Sequence, residues 1–585
     1  MVRSYRLKRP VVLFFALLFM TNIAFSQNSD DARDVTTTYF IKNAFVVQKP
    51  GKILPNTSIL IKNGLIIDVG AHIKPPYDAK IINADSMYVY AGFIDACSHT
   101  GIKKKEDKER KNVSNPGNPP KNLAGITPQN TVRNQIGDKL DKSMSELLDL
   151  GFGYVHVVPR GRMLPGQGSI LSTSNKLPES TIIVENISQF SQFKPAKGMF
   201  PGTTIGVMSQ FRDLFKNAEL SKKYSNSYSA NAKGMARPNQ SEELTALYSV
   251  VDKSMPVFYY TPKIKDVNRA LILQEELGFK LVLTGVRQGW PLLKDIKSKN
   301  ISVVLSLKLP KDLAEGKKED KKDDDTKDTD KNTDIDKDKT KEKEKKAKKK
   351  PKKKKESAET IALKEKRKKS YDQYVGQARI FEKNKLKFAF STLDTKTKDI
   401  KPNILRMIEG GLSENGALAA LTTNAATLLG ISDVAGTLEK GKIANLFITD
   451  KPYFEEKSKI KYIFNDSKLK KSKEKKKKKV DGDVPLSGEW SYEVEVPGQT
   501  QTGIILIDGE GDNMTVEIDN SSQPGDYNSA TSVSIEDGTM DLEFSFDGMS
   551  LSLTLEFEGA DFEGTVNVQG MGTFPITGTK KDVPE

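Results

Sequence analysis

The chain has 585 residues, a formal net charge of +15, three histidines, one cysteine and 29% charged residues. That length exceeds one ordinary domain and points to about three folding units. One cysteine excludes an internal disulfide and any multi-cysteine zinc or iron–sulfur site, and three histidines leave little material for a histidine-based metal centre.

The opening ten residues carry four positive charges, and Val11–Phe25 follows as an apolar run. Together they read as the two regions of a secretory signal, residues 1–26, with Ala24 and Ser26 as the small residues before a cut at Gln27. The run is too short for a comfortable membrane span, and no later stretch reaches that length. The mature chain is therefore expected to be soluble, without a transmembrane segment, and periplasmic or extracellular.

Residues 36–90 hold short runs rich in β-branched and aromatic residues, broken by Asn-Gly and Pro, and read as a small β unit. From about 130 to 310, apolar strands alternate with helical patterns: Leu140–Leu150 before the strand 153–159, Val267–Leu277 before 280–286, and Lys294–Lys299 before 301–307. That alternation predicts βα units around a parallel sheet, either a barrel or an open doubly wound sheet. Residues 315–356 are lysine, aspartate and threonine with almost no apolar side chain, too little to offset chain entropy, and read as a disordered insert. Helix resumes at Ala358, a buried strand at 385–393, then helices at Ile404–Gly411 and Ala417–Leu429 and strands within 433–467. Residues 468–484 read as a second solvated linker. Beyond it, residues 485–581 contain about eight alternating strands with Gly or Asp turns, the pattern of an antiparallel all-β sandwich or barrel domain.

Charge partitions sharply along this layout. From Val480 to the carboxyl end there are 2 basic and 22 acidic residues, leaving +35 on everything before. The runs 317–355 and 468–479 supply +7 and +8 of it, and the first 26 residues +4. The longer run interleaves acidic residues with its lysines and an exported protein meets no nucleic acid routinely, so no nucleic-acid partner is expected; the shorter run could instead contact the acidic domain that follows it.

Two motifs at opposite ends of the α/β region carry a resemblance. The first is Ala91-Gly92-Phe93-Ile94-Asp95-Ala96-Cys97-Ser98-His99; the second is Leu421-Thr422-Thr423-Asn424-Ala425-Ala426-Thr427-Leu428-Leu429-Gly430, followed by Gly436-Thr437-Leu438-Glu439-Lys440-Gly441-Lys442-Ile443-Ala444-Asn445-Leu446. They resemble the first-strand motif and the carboxy-terminal signature of the amidohydrolase superfamily, particularly its imidazolonepropionase-like branch. The resemblance covers roughly residues 36 to 467 and implies a (β/α)8 TIM-like barrel over 91–432. It also implies a composite β-sandwich subdomain built from 36–90 and 433–467, and a hydrolase acting on non-peptide carbon–nitrogen bonds.

The family's zinc sits at the carboxyl ends of the barrel strands, on two strand-one histidines, two later histidines and a final aspartate. His99 matches the second histidine of strand one; Cys97 stands where the first belongs, as a thiolate ligand or as a small buried apolar residue. The later histidine positions fall near Tyr260 and at Thr284 or Gly285, and the chain has no histidine after His156. Asp394 comes one residue later than the family aspartate, which along a strand turns a side chain to the other face. His156 could face the barrel interior or be a satisfied core residue; His72 falls in the β subdomain. The metal candidates are thus Cys97 and His99, with Asp394 as ligand or base, so zinc fits only if all three converge and no cofactor is the expectation. Arg160 and Arg162, beside Gly161, Gly166 and Gly168, fall after a strand on the expected site face and could hold an anionic ligand, or belong to an ordinary flexible loop. These substitutions imply a catalytically degenerate member. The alternative is a non-catalytic ligand-binding or regulatory subunit, taking a small molecule and partnering an intact amidohydrolase.

Overall fold

A computed structural model describes residues 37–581 apart from 103–112, 137–141, 175–180, 311–357, 466, 473–485, 497–498, 510–513, 521–522, 537–538, 547–548 and 569–571. The expected signal segment, the 315–356 insert and most of the 468–484 linker lie outside the described residues. Two compact units divide the chain after Lys471.

In the first unit, eight strands form a nearly closed barrel: β6 (Phe93–Ser98), β7 (Phe152–Val157), β8 (Gly166–Ser172), β9 (Ile182–Gln192), β10 (Val257–Tyr260), β11 (Leu281–Val286), β12 (Ser302–Ser306) and β13 (Phe388–Ser391), hydrogen-bonded in that order. The two-residue period sorts their side chains. Val257, Tyr259, Leu281, Leu283, Val303, Leu305, Phe388 and Phe390 pack in the large cluster shared with the helices. Phe258, Val282, Val304 and Ala389 alternate with them and join the barrel interior with Ile94, Tyr154, Ile170 and Phe190. Both faces are covered, which is why these strands read as apolar runs.

One feature departs from the expected (β/α)8 pattern. β8 runs antiparallel to both β7 and β9, so hairpin connections replace two of the helical crossovers. The glycines at 166 and 168, expected in a loop, therefore belong to a buried strand. Gly168 is required there, because a Cβ would stand 2.5 Å from His156 Nε2 and 2.6 Å from Ser188 Oγ. The remaining strands are joined by helices, the longest being Thr204–Ala230, whose amino end is capped by the Thr203 hydroxyl accepting from the Gly206 amide.

The flanking segments fold together as expected. β1 (Thr38–Lys49), β2 (Lys52–Lys62), β3 (Leu65–Gly70), β4 (Lys80–Asn83) and β5 (Tyr88–Ala91) share one sheet with β14 (Leu446–Thr449), β15 (Ile460–Asn465) and β16 (Lys468–Lys471). β16 occupies the first residues of the segment expected as linker. It pairs antiparallel with β15, with Leu469 against the sheet's apolar cluster and Lys470 on the Asp149 carboxylate.

Both sequence motifs serve this architecture. Asn424 donates to the Phe388 carbonyl, tying the signature helix to β13. Asn445 lies so close to the barrel floor that a Cβ at Gly92 or Gly153 would meet its side chain at 2.2 or 2.0 Å.

The second unit is a single curled antiparallel sheet of nine strands, β17 (Gly488–Val496) through β25 (Gly572–Lys580), around Trp490, Phe544, Leu553, Leu555 and Phe557. The additional strand, Gln523–Ser529, lies at one end of the sheet order. Its Pro, Gly, Asp and Asn read as turn, and an edge is where a sheet tolerates proline. No described helix is long and apolar enough to cross a membrane.

Candidate functional site at the barrel mouth

The ends of the barrel sheet, β6 and β13, meet without a backbone ladder among the described residues, and side chains close the seam. Asp95, fully buried, accepts from the backbone amides of Thr392 and Cys97, each at 3.1 Å, and from the Thr392 hydroxyl. Ser391 donates to the Cys97 carbonyl at 2.6 Å, and the Ser98 and Thr392 hydroxyls stand 3.1 Å apart. Burial pushes the Asp95 carboxyl up to about 7 against the hydrogen bonds from Thr392, Cys97 and Ser98, which favour its ionised form. The seam thus connects the residues before His99 to those before Asp394. Asp95 stood in the quoted motif without an assigned role; an aspartate inside an apolar strand was its available signal.

Cys97 packs in the barrel interior, where a register break in β6 between Asp95 and Ser98 brings both Ala96 and Cys97 into the inner cluster. Its thiol is pushed well above the ordinary value by burial, then by the Asp95 and Asp394 carboxylates. That environment opposes the thiolate that metal binding needs. His99 lies half-buried at the rim, with its ring edge-on to Phe190. Nδ1–H donates to the Val158 carbonyl at 2.8 Å, because a carbonyl can only accept, and this leaves Nε2 as the lone-pair nitrogen. Desolvation holds the imidazole down at about 4, opposed by the Val158 hydrogen bond; Arg160 and Lys194 lower it further while Asp394 raises it.

His156 is a satisfied core residue. Nδ1–H donates to the Ala96 carbonyl and Nε2 accepts from the Ser188 hydroxyl, both at 2.8 Å, and its ring meets Phe258 edge to face. His72 is exposed in the composite subdomain.

Near where the resemblance puts the first of the later histidines, the Tyr260 hydroxyl donates to Asp394 Oδ2 at 2.5 Å. Burial and the Asp394 charge push the phenol well up, and Arg287, lying against the same hydroxyl, opposes them. Gly285, at φ +67, makes room for this ring, since a Cβ there would sit 2.6 Å from Tyr260 Cε2. Thr284 is buried. Asp394 itself has φ 63, a left-handed conformation that keeps its exposed carboxylate at the mouth although it comes one residue late. The structure thus brings His99, Asp394 and Tyr260 to one rim, with Cys97 beneath.

A family metal does not fit this donor set. Burial opposes the Cys97 thiolate, both His156 nitrogens are engaged, and a tyrosine donates to the Asp394 carboxylate. Among the described residues, no three His, Cys, Asp or Glu side chains group closely enough to hold a metal ion.

Arg160 and Arg162 lie in the connection between β7 and β8. Arg160 Nε donates to the Ile102 carbonyl at 2.9 Å and Arg162 Nη1 to the Pro195 carbonyl at 2.8 Å, so both also tie loops together. Sequence reasoning passed over Lys194 and Arg287, which lie within two residues of the ends of β9 and β11.

The amidohydrolase family model matches residues 391–478, from the end of β13 through the signature. No curated protein matches the sequence. A solved amidohydrolase from Thermotoga maritima is similar over 74% of this chain and 99% of its own, at 20% identity and a TM-score of 0.56. A prolidase solved with N-methylphosphonate-L-proline is similar over 74% of this chain and 99% of its own, at 14% identity and a TM-score of 0.41. A barrel and flanking sheet that span a whole solved amidohydrolase give this chain the fold of that protein, and the amidohydrolase family match itself is carried by residues 391–478, from the end of the last barrel strand onward.

Proposed function

We propose that this chain is a catalytically degenerate amidohydrolase, exported and working without a metal cofactor as a ligand-binding or regulatory protein. Its partner would be an intact relative of the same fold. The observation that carries the reading is the Tyr260–Asp394 hydrogen bond: where the family places a histidine and an aspartate on a metal, a phenol donates directly to the carboxylate. The raised Cys97 thiol and the fully engaged His156, on the neighbouring strands β6 and β7, support it.

Metal analysis of the purified protein, paired with hydrolysis assays on cyclic amides and acyl-peptides, tests this reading. The expected result is substoichiometric zinc that His99→Ala leaves unchanged, and no turnover. Near-stoichiometric zinc abolished by His99→Ala, with hydrolysis of any such substrate, would make the chain a metal-dependent hydrolase using Cys97, His99 and Asp394. Affinity capture of a second barrel with complete histidines tests the regulatory-subunit form.

A further inference from the structure

One helix of the first unit, Ala358–Val375, carries a ring of positive charge that the fold does not use. Its carboxyl end is anchored. The Tyr371 hydroxyl accepts from Arg406 Nε at 3.0 Å and from Nη2, and Arg406 Cζ stands 5.2 Å from the Tyr371 ring centre. Tyr374 accepts from Gln288 and meets Trp290 edge-on, and Val375 is buried. Upstream of these anchors, every residue from 362 to 370 is exposed.

A helical stretch that is polar all round is stable through opposite-charge pairs or through a partner. Here Lys366, Arg367, Lys368 and Lys369 are consecutive. At about 3.6 residues per turn they point about 100° apart and encircle the helix within about one turn. Lys366 and Lys369, three residues apart, are neighbours of like sign and weaken the helix. Glu365 and Asp372 on either side offset part of this charge; residues 362–372 hold 5 basic and 2 acidic side chains, leaving +3.

The shape of this collar selects its partner. A bilayer, a folded acidic surface or a stiff duplex approaches a helix from one side and leaves the far cations unmet. A bilayer also favours an apolar face, and Leu363 is the one large apolar side chain between 362 and 370. A flexible linear polyanion can pass round the helix, meet all four cations and release its own counterions.

We propose that the collar Lys366–Lys369 docks a flexible, linear acidic polysaccharide. Bound polymer neutralises the four cations and relieves the repulsion within the helix, and the Tyr371 and Tyr374 anchors transmit the hold to the barrel. The choice of a polysaccharide over a single-stranded nucleic acid rests on the export proposed above. The collar itself depends neither on export nor on whether the barrel is catalytic.

Lysine acetylation footprinting of the full protein tests this, with polygalacturonate as the probe and neutral dextran as its control. The expected result is a saturable slowing of acetylation at Lys366, Lys368 and Lys369 by polygalacturonate and none by dextran. Lys52 and Lys62, exposed in the flanking sheet, should be unchanged. The combined variant Lys366→Gln, Arg367→Gln, Lys368→Gln, Lys369→Gln is expected to bind about tenfold or more weakly at about 50 mM salt. A second combination, Lys42→Gln, Lys52→Gln, Lys62→Gln, Lys74→Gln, removes the same charge from other exposed positions and should leave binding nearly unchanged. Glutamine keeps the helix propensity of lysine. The charge-preserving combination Lys366→Arg, Lys368→Arg, Lys369→Arg should bind as the wild type, which separates charge from helix structure. Equal weakening by the two glutamine sets, or no footprint on the collar, overturns the proposal. A collar footprint with phosphatidylglycerol vesicles or with oligothymidylate, and none with polygalacturonate, overturns it too, and the oligothymidylate result would also count against export.

Discussion

His156 and His99 come from the same short list of histidines, yet their surroundings give them opposite parts. His156 has carbonyl and hydroxyl partners on its two nitrogens and full burial, which holds its imidazole down at about 4. A histidine that resists protonation when folded, with an ordinary value near 6.5 when unfolded, leaves the unfolded state binding more protons between those values. Stability from His156 is thus complete above about pH 6.5 and is lost towards pH 4, at about 1.4 kcal/mol per pH unit. Denaturant titrations at pH 7 and pH 5, comparing wild type with His156→Gln, measure this as a steeper acid loss in the wild type. Equal slopes would mean the ring is not held neutral. The sequence made His156 visible as an inward-facing candidate but could not decide its role, because the deciding partner, Ser188, arrives from β9 only in the folded barrel. Tyr260 and Asp394 were visible for the opposite reason: the family motif fixes where a histidine and an aspartate belong, so departures stand out. The left-handed turn that returns Asp394 to the rim is invisible to strand parity.

At the scale of elements, barrel closure depends on one seam and one inverted strand. Asp95 replaces a missing backbone ladder with hydrogen bonds to Thr392 and Cys97. Asp95→Ala leaves buried donors unpaired and is expected to destabilise the first unit by about 3 kcal/mol or more. Thr392→Val, which removes one donor, should cost about 1 kcal/mol more than Thr392→Ser, which keeps the hydroxyl. Urea unfolding read by tryptophan fluorescence compares them, and an Asp95→Ala cost no larger than that of Thr392→Ser would mean that packing alone closes the barrel. On the inverted strand, Gly168→Ala drives a methyl group onto His156 and Ser188, and a loss of about 2 kcal/mol is expected from overpacking. The parallel strands were legible because both faces are buried and the residues are correspondingly apolar. β8 was not, since Gly-Gln-Gly-Ser reads as loop wherever the neighbour that demands glycine is unknown. β16 was missed because three of its four residues are lysines; Leu469 and the Lys470–Asp149 pair fix it to the sheet.

At the scale of the whole molecule, the two compact units differ most in charge, and each contains one of the two tryptophans. Trp490 is fully buried in the second unit, and Trp290 is half-buried in the first, edge-on to Tyr374. Trp490→Phe and Trp290→Phe variants therefore report each unit separately. Between Leu486 and Lys581 the second unit holds 18 acidic and 2 basic residues. So many like charges on about a hundred residues repel one another in the compact state more than in the extended chain, and salt screens that repulsion over about 10 Å at 0.1 M. The Trp490 transition is thus expected to move to higher denaturant as sodium chloride rises from low ionic strength. The Trp290 transition should respond less, because the barrel and its flanking sheet mix charges and carry several ion pairs, including Arg212–Glu276 and Arg133–Glu185. Urea suits this measurement, since guanidinium salts would themselves screen the charges. Coincident transitions that shift together would mean that the two units unfold as one cooperative body, whereas separate midpoints, with that of Trp490 rising more steeply with salt, would show that like-charge repulsion limits the acidic sheet more than the barrel.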